Sequence, residues 1–172
     1  MNYFKNILAI LLLSAVIGAC TDAESEKYTG KQVQYQLFQA SDFDYTGIAT
    51  IREMIGGNLE LTIQLEGERG SEEVSYPGHL HFGSYSTPNA PIAFMLNPIK
   101  ANSLESITIL EQLTDGNRLL FDEIEGFQGH IKVHLASDGP DYETILVAGN
   151  IGALGHSQAF DIEQMVICGK DF

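Results

Sequence analysis

The chain has 172 residues, with 23 acidic against 9 basic side chains and a formal net charge of −14. This length fits one domain plus a processed segment, and 44% hydrophobic residues with only 19% charged residues exclude a wholly disordered chain. Because so acidic a surface repels phosphate backbones, we expect no nucleic-acid partner.

The N-terminal residues 1–19 have the composition of a bacterial secretory signal. Lys5 supplies a positive charge, and the apolar run Ile7–Ile17 is too short to span a bilayer as a helix. The run leads into an Ile-Gly-Ala-Cys step ending at Cys20, which resembles the lipobox of bacterial lipoproteins. We therefore predict removal of residues 1–19, lipidation of Cys20 and a place in the bacterial cell envelope, lipid-anchored on the periplasmic side of the outer membrane or on the cell surface. A plain signal peptide with a coincidental cysteine is the alternative.

Residues 20–30 are predicted to be the lipidated cysteine and a polar tether, and residues 31–172 the folded domain. Lipidation of Cys20 leaves Cys168 as the other cysteine, so neither a disulfide framework nor a cysteine zinc site is available. Cys168 stands in an apolar stretch, where a small buried side chain is expected.

From Lys31 onward, alternating apolar and polar residues predict β-strands. The clearest is Leu59–Glu66, and the Gly-Gly-Asn sequence before it predicts a hairpin turn. The other strands are predicted over Val33–Leu37, Tyr45–Arg52, Gly78–Phe82, Ile92–Leu96, Ser106–Leu110, His130–Leu135 and Thr144–Ala148. Leu119–Phe127 fits either a helical turn or an irregular strand. About eight strands at this spacing predict an all-β fold, a Greek-key β-sandwich or barrel.

The alternation also predicts which side chains face the interior. These are Leu61, Ile63, Leu80, Phe82, Val133 and Leu135. The polar residues between them, such as Glu60 and Lys132, are expected to face solvent and to tolerate replacement by alanine.

Histidines are the residues that could carry chemistry. His79 and His81 are two residues apart and therefore share one face of their strand. His130 and His134 alternate with apolar residues in the same way. They lie about 13 Å apart along the strand, so only one of them can join the first pair around an ion with bonds of about 2 Å. Imidazole suits copper and zinc. The alternative is that the histidines hold no metal and are either solvated or bonded to loop carbonyls.

Four segments in chain order resemble the CHRD domain and, beyond it, the copper/zinc superoxide dismutases. They are Tyr45-Thr46-Gly47-Ile48-Ala49-Thr50, Asn58-Leu59-Glu60-Leu61-Thr62, His79-Leu80-His81-Phe82-Gly83 and Ile131-Lys132-Val133-His134. The resemblance implies a superoxide dismutase-like fold with His79, His81 and His134 as copper ligands. It also implies that Asp138, four residues beyond His134, orients a ligand imidazole. His130 and His156 are then expected to be dispensable.

The same resemblance does not extend to dismutase activity. Ser84–Gly129 contains no histidine where the dismutases keep their zinc ligands and bridging histidine, and Ile145 stands where their guiding arginine belongs. Two functions stay open. The chain is either a non-enzymatic binding or interaction module for an unknown protein or glycan, or an extracytoplasmic copper-binding protein that uses three histidines.

Overall fold

Ten β-strands dominate the part of the chain that the computed structural model describes, residues 27–156 and 159–167. Named β1–β10 in chain order, they are Tyr28–Gln39, Thr46–Met54, Leu59–Glu66, Ser75–Tyr76, Gly78–Phe82, Ile92–Met95, Ile99–Lys100, Glu105–Leu110, Gln128–His134 and Ile145–Gly152. Short 3-10 helices cover Phe121–Gly126, Pro140–Glu143 and Ile162–Gln164. The eight predicted strands are all present. The sequence does not predict β4 and β7, because each has only two residues and so shows no periodicity.

The strands form one antiparallel sheet that curls around the core in the order β4-β7-β8-β3-β2-β1-β10-β9-β5-β6. β10 lies beside β1, so β10-β1-β2-β3 has the spatial order of a Greek key. The predicted all-β fold is therefore confirmed. No helix among the described residues has the length and apolar character needed to cross a bilayer.

Strand β1 joins the two halves of the sheet. It pairs with β2 between Tyr28 and Leu37, and with β10 at Phe38 and Gln39. At this junction, a Cβ added to Gly149 of β10 would lie 2.4 Å from a carbonyl oxygen of β1. The two backbones therefore approach too closely for any side chain here, and beyond β10 the sheet continues with β9, β5 and β6.

The hydrophobic core fills the inside of the curled sheet. Of the side chains predicted to face it, Leu61, Ile63, Leu80 and Val133 are buried in the main cluster. Phe82 and Leu135 are partly buried and pack against that cluster. The interior face predicted from the alternation is thus confirmed, and the opposite face of β5 and β9 carries the histidines.

The expectation that Glu60 faces solvent is wrong, because its side chain is fully buried. Its carboxylate accepts hydrogen bonds from Lys27 at 2.5 Å, Tyr28 at 2.6 Å and Arg52 at 2.8 Å. These bonds hold Lys27 and Tyr28 on the sheet, so β1 begins at Tyr28 and the folded domain starts before Lys31. The predicted division at residue 30 therefore falls inside β1, while Cys20 and residues 1–19 lie outside the described residues.

Candidate metal centre

Four histidines lie on the face of β5 and β9 that is turned away from the core. His79 and His81 come from β5, and His130 and His134 come from β9. The shared face agrees with the predicted alternation, but the expected exposure to solvent is wrong. The four residues are 3%, 2%, 0% and 0% exposed, respectively.

The C-terminal segment, residues 159–167, covers part of this face. Tyr85 holds the segment, because its hydroxyl donates to the carbonyl of Ala159 and its own carbonyl accepts from the N–H of Val166. Lys132, which lies between the two histidines of β9, donates from Nζ to the carbonyl of Val166 and is 2% exposed. The expectation that Lys132 faces solvent is therefore wrong, since a segment from a distant part of the chain packs over it.

The four imidazoles form a row, in the order His134, His79, His81, His130, which we call the histidine row. Successive ring centroids lie 5.1, 5.8 and 4.8 Å apart. Tyr142 closes one end by stacking on His134, with centroids 4.4 Å apart. At the other end, His81 and His130 are direct cross-strand partners and their rings are nearly parallel, 9° apart.

Three rings of the row are anchored to the main chain through Nδ1. His81 bonds to the carbonyl of Ala90 at 3.0 Å, His130 to that of Gly83 at 2.8 Å, and His134 to that of Tyr142 at 2.7 Å. Because a carbonyl oxygen only accepts, Nδ1 carries the proton in each ring. In the neutral ring, Nε2 then keeps the lone pair that a metal ion requires. The Nε2 atoms of His130 and His134 are buried, with no hydrogen-bond partner among the described residues.

Burial lowers the pKa of every imidazole in the row. It brings the pKa of His79 and of His81 to about 4 and that of His130 to about 3, and it also lowers the pKa of His134. The positive charge of Lys132 adds to the lowering of the pKa at His81, His130 and His134. The row is therefore neutral at pH 7, which is the form of imidazole that binds metal ions.

The three predicted copper ligands are neighbours, but they do not point at a common centre. His79 contacts both His81 and His134. Within residues 27–156 and 159–167, no three His, Cys, Asp or Glu side chains are placed to hold one ion. Binding by this triad would therefore require the rings to turn about their side-chain bonds.

The structure does not place Asp138 in the role predicted for it. Asp138 is exposed, and the proton on Nδ1 of His134 is donated to the carbonyl of Tyr142. A main-chain oxygen of the 3-10 helix thus orients this ring in place of a carboxylate. Cys168, like Cys20, lies outside the described residues.

Two contacts of the histidines are not predicted from the sequence. His130 lies too far from His134 to share an ion with it, but it stacks on His81. His156 stacks on Tyr35, outside the row, with ring centroids 4.8 Å apart. The burial of the row did have a signal, because the unbroken apolar run of β10 from Ile145 is typical of a strand covered on both faces.

The described residues also form a shallow cleft of about 760 Å³. Phe82 and Phe127, with ring centroids 6.0 Å apart, supply apolar lining. Asp115, Asn117 and Gln128 add planar polar groups to the lining. Aromatic rings with planar hydrogen-bonding side chains offer contacts to both the C–H faces and the hydroxyl groups of a sugar.

No family model, curated protein or solved structure matches the chain. The resemblance to the CHRD domain and to the dismutases therefore stays a prediction that depends on the four short segments.

Proposed function

We propose that the protein is an envelope-anchored, non-enzymatic binding module that holds copper in the histidine row. The anchor is the lipid predicted on Cys20, and the proposed ligands are His79, His81 and His134. The observation that carries the proposal is the buried Nε2 of His134, which has no hydrogen-bond partner among the described residues. The carbonyl of Tyr142 holds the proton on the other nitrogen of this ring, so the lone pair is committed to Nε2.

The chemistry of the row favours copper over the hard cations. A buried acceptor without a partner costs free energy of about 1–3 kcal/mol, which a bound cation would offset. The row supplies neutral nitrogen donors, which suit copper and zinc, whereas calcium and magnesium require oxygen. Lys132 lies on the same face. Because like charges repel strongly in a buried setting, monovalent copper is favoured over a divalent ion.

Burial of the row also favours storage or transfer of the ion over catalysis. Every histidine of the row is 3% exposed or less. A substrate in solution has no contact with rings buried to this degree, and a chain with a net charge of −14 repels an anion such as superoxide. The departures from the dismutase pattern noted in the sequence favour the same conclusion.

The test is copper affinity, measured by competition with a chromophoric Cu(I) chelator. We expect His79→Gln and His134→Gln each to weaken binding by at least about 100-fold, or about 2.8 kcal/mol. The matched control is His156→Gln, which removes a histidine that stacks on Tyr35 outside the row and should keep the wild-type affinity. Absence of copper binding, or equal loss in all three variants, would overturn the proposal.

The cleft supports a second candidate function, binding of a glycan. Its lining combines the rings of Phe82 and Phe127 with the polar groups of Asp115 and Gln128. A glycan array would test this candidate, with Phe127→Ala expected to abolish any signal and His134→Gln expected to leave it unchanged. Retention of the signal in Phe127→Ala would exclude the cleft as the site.

A further inference from the structure

We infer that the histidine row holds a second copper position, between His81 and His130, beside the one centred on His79 and His134. The inference rests on the proposed function, because it uses the same row. Since Nδ1 of His81 bonds to the carbonyl of Ala90, His81 has one lone pair, and the first ion keeps only His79 and His134 when both positions are filled. Spacing along β9 keeps His130 from sharing an ion with His134. The structure gives His130 a different partner, because β5 runs beside β9 and places His81 opposite it.

The surroundings of His130 bury its ring and fix its tautomer, as expected for a metal ligand. It is 0% exposed, and its Nδ1–H donates to the carbonyl of Gly83 at 2.8 Å. This bond fixes the lone pair on Nε2, and that atom is buried without a hydrogen-bond partner within residues 27–156 and 159–167. Main-chain bonds of this kind, which set the tautomer and orientation of the ring, are typical of histidines that bind metals.

The distance between the two rings suits one shared ion. Residues directly opposite on antiparallel strands have Cβ atoms about 4.5–5.5 Å apart, and the ring centroids of His81 and His130 are 4.8 Å apart. Two nitrogens bound to one ion at about 2 Å each lie at most about 4 Å apart. Because the two rings are stacked nearly parallel, their Nε2 lone pairs run side by side, and a shared ion requires both rings to turn toward each other.

The second ion should bind more weakly than the first. Both positions share one buried face with the ammonium group of Lys132, which lies on β9 directly opposite His79. Positive charges repel one another most strongly where little water screens them. We expect the second equivalent to bind at least about 100-fold more weakly than the first, or about 2.8 kcal/mol.

Stoichiometry distinguishes this inference from the proposed function. Native mass spectrometry of the purified protein would be recorded with Cu(I) under reducing conditions, and with Ag(I) as a probe that does not change oxidation state. We expect two ions on the wild type and on His156→Gln. We expect one ion on His130→Gln and one on His134→Gln.

Two results would overturn the inference in different ways. A single ion on both the wild type and His130→Gln would remove the second position and leave the proposed function standing, whereas no ion on the wild type would remove both. If His130→Gln fails to fold, nitrogen-15 NMR of the wild type decides the question. The Nε2 resonance of His130 should shift with the second equivalent of Ag(I), and a resonance that stays in place would overturn the inference.

Discussion

Lys132 donates a hydrogen bond from Nζ to the main-chain carbonyl of Val166, and this bond ties β9 to the C-terminal segment. The contact joins residues 34 positions apart and closes the side of the sheet that carries the histidine row. The burial of the row thus depends on a segment that follows the last strand. The low pKa values of its imidazoles have the same origin, since burial is their main cause.

Replacement of Lys132 should destabilise the fold. Lys132→Ala leaves the Val166 carbonyl without this donor and removes a long buried side chain, so we expect the free energy of unfolding to fall by about 2–4 kcal/mol. Lys100→Ala, at an exposed lysine of β7, is the control and should change it by less than about 0.5 kcal/mol. Urea unfolding at pH 7.5 measures both, and equal values would show that the Val166 contact contributes little.

The Glu60 carboxylate should contribute to stability in a comparable way. Glu60→Ala removes the acceptor for Lys27, Tyr28 and Arg52, and we expect a loss of about 2–4 kcal/mol. Glu66→Ala, on the same strand but exposed, should be nearly neutral. Hydrogen exchange gives a second readout, since amides at the start of β1 should lose protection in Glu60→Ala alone. Unchanged exchange there would contradict the role assigned to this cluster.

Much of the fold follows from the period-two alternation in the sequence. Leu59–Glu66 is predicted with the bounds that β3 has, and the shared face of His79 and His81 follows from their spacing. Alternation predicts which side chains share a face of the strand, but it does not predict what packs on that face. Residues 159–167 cover Lys132 through a tertiary contact between distant parts of the chain. The local sequence pattern therefore does not predict this contact.

The same limit explains why the burial of Glu60 and the contact between His130 and His81 are not predicted. A glutamate in an alternating strand shows the same local sequence pattern whether its carboxylate contacts water or a cation. The pattern around Glu60 does not reveal its bond to Lys27, because Lys27 lies 33 residues away in the sequence. The spacing in the sequence gives only the distance between His130 and His134 along β9. Its contact with His81 comes from the register between β5 and β9, which a single sequence does not fix.

The lipid anchor has a direct test in the cell. If Cys20 is the acylated first residue of the mature chain, Cys20→Ser should accumulate as the precursor or appear in the soluble fraction. Mass spectrometry of the wild type should show loss of residues 1–19 and the added mass of the acyl chains. Cys168→Ser is the control and should keep the wild-type distribution. An unchanged mature mass and membrane fraction for Cys20→Ser would refute the anchor.

Stability of the metal-free protein should fall as the pH drops from about 6.5 toward 4. The pKa of His130 is lowered from 6.5 to about 3, and that of His79 and of His81 to about 4. Between these values the unfolded chain takes up protons that the folded chain does not, so acid favours unfolding. Above about pH 6.5, the neutral row makes its full contribution to the free energy of unfolding. Below that pH, each histidine lowers the free energy of unfolding by up to about 1.4 kcal/mol per pH unit.

Urea unfolding at several pH values between 5 and 7.5 measures this slope. His130→Gln should reduce the slope by about 1.4 kcal/mol per pH unit, because one titrating group is lost. Ile131→Val, a core change on the same strand, should cost about 0.5–1.5 kcal/mol at every pH and leave the slope as in the wild type. A wild-type stability that does not change over this range would show that the row takes up protons in the folded state.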